Sequence, residues 1–156
     1  MTSCQQFELY AAEADVPRGW EFSNADRLQG WLDGLRDEPF WCRFYPQVLR
    51  VEVGYVRGTR SVGAWIPADN AGRIEMAPGH RNELVVLHEI AHVLAAARYG
   101  SESHDPWFAR VYLELVFFVM GYDTFDALHR AFEAGGIEHD PPRQEIEVGR
   151  AREMPA

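Results

Sequence analysis

The chain has 156 residues, the size of one ordinary domain, and 47% hydrophobic, 13% aromatic and 25% charged side chains. That composition supports a globular core and excludes a disordered, fibrous or collagen-like chain. Acidic residues outnumber basic ones 24 to 15, giving a net charge of −9, and every basic residue is arginine. A chain this acidic does not hold a phosphate backbone by bulk electrostatics, which argues against autonomous nucleic-acid binding. Cys4 and Cys42 have no disulfide or cysteine-based metal spacing, which fits a reducing cytoplasm. The first residues show neither a basic start nor a continuous apolar run, and the greasiest stretch, 113–120, is short and contains Glu114. Neither a secretory signal nor a membrane span is expected.

Residues 5–12 alternate loosely and read as a first strand. Leu28, Trp31, Leu32 and Leu35 recur at helical spacing, with Ser23 or Asn24 as N-cap and Pro46 closing the region. Residues 48–56 alternate again and read as a strand, with Val51, Val53 and Tyr55 on one side. A turn at 57–60 predicts that 61–66 returns as the second arm of a hairpin, and a second turn at 69–72 leads into a short strand at 73–77. After Pro78-Gly79 the period becomes helical. Asn82 caps a helix to about Arg98 that is apolar on nearly every side, so it should be a buried central helix ended by Gly100. Asp105 caps a further helix with Pro106 at its first position and Gly121 past its end, and Thr124 opens a last helix to about Ala134. Trp20, Trp31 and Trp41 are expected in the core. The reading is one α+β domain over 1–137, its small, mostly antiparallel sheet of three to four strands packed on the central helix and further helices. A loose, mixed-charge extension follows over 138–156.

The central helix carries His88-Glu89-Ile90-Ala91-His92. Residues four apart stand one above the other on a helix, so both imidazoles can reach one metal ion. Glu89 is rotated by about 100° from His88, beside the metal, where its carboxylate can take a proton from metal-bound water. Two neutral imidazoles suit zinc, although the spacing also admits iron, cobalt or nickel. Buried histidines on an apolar helix need partners, and here two histidines and a glutamate share that need.

A catalytic zinc takes three protein ligands and keeps a position open. Position 98 is arginine, which excludes a third histidine at the metzincin spacing. The helix rises roughly 9 Å from His92 to Arg98, and the six links from there to His104 span about 20 Å when extended. His104 can therefore return to the site, held by the helix start at Asp105-Pro106. Glu114 competes for the role. It could ligate the metal, orient a ligand imidazole, or pair with Arg110 one turn earlier. Tyr99 and Tyr112 could stabilise an oxyanion or simply pack, and His80, His129 and His139 read as ordinary surface histidines.

The stretch Leu84-Val85-Val86-Leu87-His88-Glu89-Ile90-Ala91-His92, followed by His104-Asp105-Pro106-Trp107-Phe108, resembles the actinobacterial family of HExxH metallohydrolases. That family is similar to the SprT-like (Spartan-type) minimal zincin metalloproteases, in which a third histidine in a His-Gly-Pro-x-Phe-like segment completes the site. The resemblance covers about residues 48–121. It implies a zincin-like fold and one zinc held by His88, His92 and His104, with Glu89 as general base. The resemblance does not carry the substrate with it; the first reading is a small cytoplasmic zinc hydrolase acting as a peptidase on peptide or protein. Position 105 is Asp rather than Gly, and no paired cysteines follow the motif to form a zinc ribbon. The alternative is a non-catalytic zinc protein or binding module, in which a fourth ligand such as Glu114 closes the site. A hydrolase of non-peptide amides or esters is a third reading.

Overall fold

The computed structural model describes residues 3–141, with side chains from Glu8 onward. Helices α1 (Ser3–Glu13), α2 (Ala25–Arg36) and α3 (Pro39–Phe44) come first. Strands β1 (Arg50–Tyr55), β2 (Val62–Ile66) and β3 (Ala71–Met76) follow, then helices α4 (Glu83–Tyr99), α5 (Pro106–Met120) and α6 (Tyr122–Ala134). The α+β class is as expected, but the short helix α3 was not read as a separate element, and α1 and the sheet differ from the sequence reading. The strand expected at 5–12 is helix α1. Leu9, Ala12, Glu13 and Val16 fall at helical spacing, and Leu9, Glu13 and Val16 are buried. A face of period 3.6 packed against α6 therefore outweighs the weak alternation around Phe7 and Leu9.

The second difference lies in the sheet. β2 does not return along β1, because β3 lies between them in the order β1-β3-β2. β1 pairs with β3 in parallel, Arg50 opposite Ala71, and β2 pairs with β3 antiparallel, Val62 opposite Glu75. The sheet is thus mixed and three-stranded. Its hairpin closes through the single 3₁₀ turn Pro67–Asp69, where Asn70 takes the left-handed conformation (φ 49°) that asparagine tolerates. The outer edge of β1 is covered by Gln29, whose side-chain NH₂ donates to the Val51 carbonyl (2.8 Å) and whose oxygen accepts from Val53 N–H (2.9 Å). Among the described residues, no segment bonds to the outer edge of β2.

α4 is the buried centre. All but one of its residues from Glu83 to Ala95 are buried, and the sheet packs on one side with α5 on another. A helix start left in the interior needs its first N–H groups satisfied. Here Glu83 N–H donates to Trp20 O, Leu84 N–H to Arg18 O, and Val85 N–H to the Asn82 side chain. The segment after α1 therefore runs along the beginning of α4. Gly100 in the left-handed conformation (φ 71°) ends the helix as expected.

Two strand glycines set how closely the sheet approaches. A Cβ on Gly63 would lie 2.1 Å from the Glu89 carbonyl oxygen, and one on Gly72 would lie 2.4 Å from a Val93 methyl. Gly63→Ala should force β2 away from α4 and destabilise the protein by about 1–3 kcal/mol in urea unfolding. Gly30→Ala, in an open position of α2, should instead stabilise it by roughly 0.5–1 kcal/mol. Equal effects at the two positions would contradict the packing described.

Candidate metal centre

His88 and His92 project from successive turns of α4, and His104 reaches them from the α4–α5 connection. That connection is fixed locally. The Asp105 carboxylate accepts from the Phe108 N–H (3.0 Å) and the Ser101 hydroxyl (2.7 Å), with Pro106 in the first turn of α5. The three imidazoles converge through their Nε2 atoms, His88 to His104 at 3.1 Å and His92 to His104 at 3.0 Å. Tetrahedral zinc with bonds of about 2.0–2.1 Å sets its nitrogens about 3.3 Å apart, so the donor set fits such an ion with small adjustment. The Phe108 ring packs against all three imidazoles at 4.2–5.1 Å between centroids. The Tyr10 ring stacks on His88.

The residue that sequence reasoning missed is Glu13. Its buried carboxylate, at the end of α1, bonds Nδ1 of His88. A carboxylate only accepts, so Nδ1 carries the proton and Nε2 turns its lone pair toward the cluster. Burial works against charge on His88, but the adjacent Glu13 carboxylate outweighs it and raises the pKa. Burial, together with neighbouring imidazoles, pushes His92 down to about 2 and His104 down to about 4. Both are therefore neutral near pH 7, as metal ligation requires.

Glu89 is 5% exposed, and burial raises its carboxyl above the usual range, with Glu13 adding to the effect and His88 and Arg60 opposing it. It lines, with His88, a cavity of about 430 Å³ whose other walls include Tyr10, Glu13, Arg18, Arg60, Ser61 and His80. His80 is half-buried there rather than a simple surface residue, with Nδ1 2.8 Å from the Ser61 hydroxyl. Arg18 and Arg60 have no ion-pair partner among the described residues and give the cavity a cationic wall.

Glu114 lies elsewhere. It pairs with Arg110 (3.1 Å) and faces a separate groove with Phe44, Arg98 and Phe117, which settles its three sequence alternatives in favour of the ion pair. Tyr99 stacks on Trp107, and the buried Tyr112 donates to Leu84 O (3.1 Å), so both tyrosines pack. Of the three tryptophans expected in the core, Trp41 is buried and Trp31 packs half-buried on Phe22, but Trp20 is 77% exposed. No helix among the described residues is long and apolar enough to cross a membrane.

No family model, curated protein or solved structure matches the chain. The chemistry of the site therefore rests on its own geometry. The acid marking the first helix was visible in the sequence: Glu13 sits on the same helical stripe as Leu9 and Val16, and a charged residue there needs a buried partner.

Two outcomes are expected. Glu13→Ala should weaken metal binding about 10–100-fold, as loss of a carboxylate behind a ligand imidazole does, while leaving stoichiometry intact; isothermal titration measures it. The metal-free protein should lose stability in acid. His92 and His104 have folded pKa values below their unfolded value of 6.5, so the unfolded state binds more protons as the pH falls below 6.5. Their contribution is complete above that value and declines as the pH falls toward about 4 for His104 and lower for His92. His88, with its raised pKa, acts in the opposite sense and favours the fold at lower pH. Thermal midpoints from pH 7.5 to 4.5 should therefore drop less in His92→Gln than in wild type.

Proposed function

We propose that this chain is a zinc-dependent metallohydrolase, and specifically a cytoplasmic peptidase, with His88, His92 and His104 as ligands and Glu89 as general base. The observation that carries the reading is the convergence of three imidazole nitrogens, on rings of which His92 and His104 are held neutral by burial, beside a buried carboxylate at the wall of an open cavity. The resemblance of the motif to the SprT-like zincins supports it from the sequence side. When bound, zinc acidifies water and polarises a carbonyl oxygen. Glu89, with its carboxyl raised by burial, takes the proton of the attacking water. It then returns that proton to the amide nitrogen as the C–N bond breaks, and the second proton of the water passes from the new carboxyl to the amine, leaving a carboxylate and an ammonium group.

The substrate reading follows from the sheet. β3 is central and has both edges occupied. β2 has the free outer edge, and Gly63 brings it against the Glu89 backbone. An extended peptide added to β2 would pass beside the cavity by backbone hydrogen bonding. The cationic wall of Arg18 and Arg60 favours an acidic side chain near the scissile bond.

The non-catalytic alternative needs a fourth protein ligand. Glu114, its obvious candidate, is engaged with Arg110, and the described cluster contains three imidazoles and no carboxylate. Glu89→Gln should keep the wild-type zinc content and lose hydrolysis of a peptide library by at least about a hundredfold, read by mass spectrometry of cleavage products. Wild-type turnover in that variant would remove Glu89 from the reaction. Cleavage of esters or non-peptide amides alone would replace the peptidase reading with the broader hydrolase one.

A further inference from the structure

A second group of potential ligands stands at the other end of the chain, and it shares no residue with the first. His129 and Glu133 lie one turn apart on α6, so their side chains occupy the same face of the helix. The chain then reverses. Gly135 N–H bonds Ala131 O, Gly136 adopts φ 67°, and Ile137, 3% exposed, bonds Phe132 O through its N–H (2.9 Å). The buried Ile137 side chain anchors this reversal and carries His139 back over α6. There His139 Nε2 lies 2.7 Å from Glu133 Oε1, and His129 Nε2 lies 3.5 Å from the same oxygen. The two imidazole rings are 5.0 Å apart, with Phe125 stacked on His129 and Phe132 beside His139. One ligand atom from each of the three residues falls within 4.8 Å of the others.

We propose that His129, Glu133 and His139 form a second, solvent-accessible site for a divalent transition metal, with zinc the best match to the donor set. Two imidazole nitrogens and one carboxylate oxygen are a combination zinc binds readily, at about 2.0–2.2 Å, whereas calcium and magnesium require mainly oxygen. The ligand atoms, all within 4.8 Å of one another, stand close to the spacing of about 3.3 Å that tetrahedral zinc sets between its ligands. The carboxylate already hydrogen-bonds the His139 ring and lies within ion-pair distance of the His129 ring, so little ordering remains to be done on binding. Glu133 is well exposed, which leaves room for water at the remaining position. A bound ion would clip the segment after α6 to the helix. This site does not depend on the hydrolase reading.

The test is a titration of the full-length, metal-free protein with zinc chloride, followed calorimetrically, for wild type, His129→Ala, His139→Ala and His92→Asn. Two equivalents are expected in wild type. The second should weaken at least roughly tenfold in either α6-side variant, while the first is unchanged, which also shows that those variants fold. In His92→Asn the second site should persist. Should that variant fail to fold, wild type carrying one equivalent of zinc gives the same reading. Zinc binding in wild type whose every equivalent survives both His129→Ala and His139→Ala would overturn the proposal. With wild type, cobalt chloride in place of zinc should give a visible d–d band for the second equivalent that His139→Ala abolishes.

Discussion

The bond between the Glu13 carboxylate and Nδ1 of His88 joins the first helix of the chain to the central one, and the site depends on it. It fixes the tautomer of a ligand imidazole in the interior and supplies the partner that a buried histidine requires. The same carboxylate raises the Glu89 carboxyl and opposes the effect of burial on His88. One buried acid thereby sets the electrostatics on both sides of the motif. It also gives α1 a reason to dock where it does, since its apolar face alone would specify no single position along α6.

The second constraint is closeness. α4 bears two imidazoles and a carboxylate within an otherwise apolar helix, and the sheet must lie directly against it. Gly63 and Gly72 permit this by presenting no Cβ toward Glu89 and Val93. The approach of β2 leaves a strand edge beside the cavity to which none of the described residues bonds, while Gln29 closes the edge of β1. An open edge is ordinarily a liability, and this one is where the proposed peptide would add. The polar groups at the beginning of α4 are answered by the strap from Arg18 to Trp20, which also positions one of the two cavity arginines.

Much of this was legible from local chemistry. Asn82, Gly100, Asp105 and Pro106 are unambiguous helix punctuation, and each lies where that chemistry puts it. The spacing of His88 and His92 and the reach of His104 follow from helix rise and chain length, and the three rings do meet. What could not be read was non-local. The order β1-β3-β2 depends on which turn closes the hairpin, and the turn signal at 57–60 looked as good in sequence as the one at 69–72, which overlaps the 3₁₀ turn Pro67–Asp69 that prevails. α1 was mistaken for a strand because a short segment with two apolar residues in alternation satisfies either period. Its helical stripe becomes clear only with Val16, beyond the end of the helix, and with the partner of Glu13 seventy-five positions away. His129 and Glu133 had ligand-like spacing, but the turn that returns His139 to them depends on the burial of Ile137.

The central claim is that three histidines from two segments hold one metal. It is tested most directly by competition between a chromophoric zinc chelator and the full-length protein, measuring its tightest site in wild type and in His104→Ala. The three-histidine centre predicts that the variant binds zinc at that site weaker by roughly a hundredfold or more, with an unchanged fold by circular dichroism. Equal affinity in the two proteins would place the third ligand elsewhere and contradict the centre described.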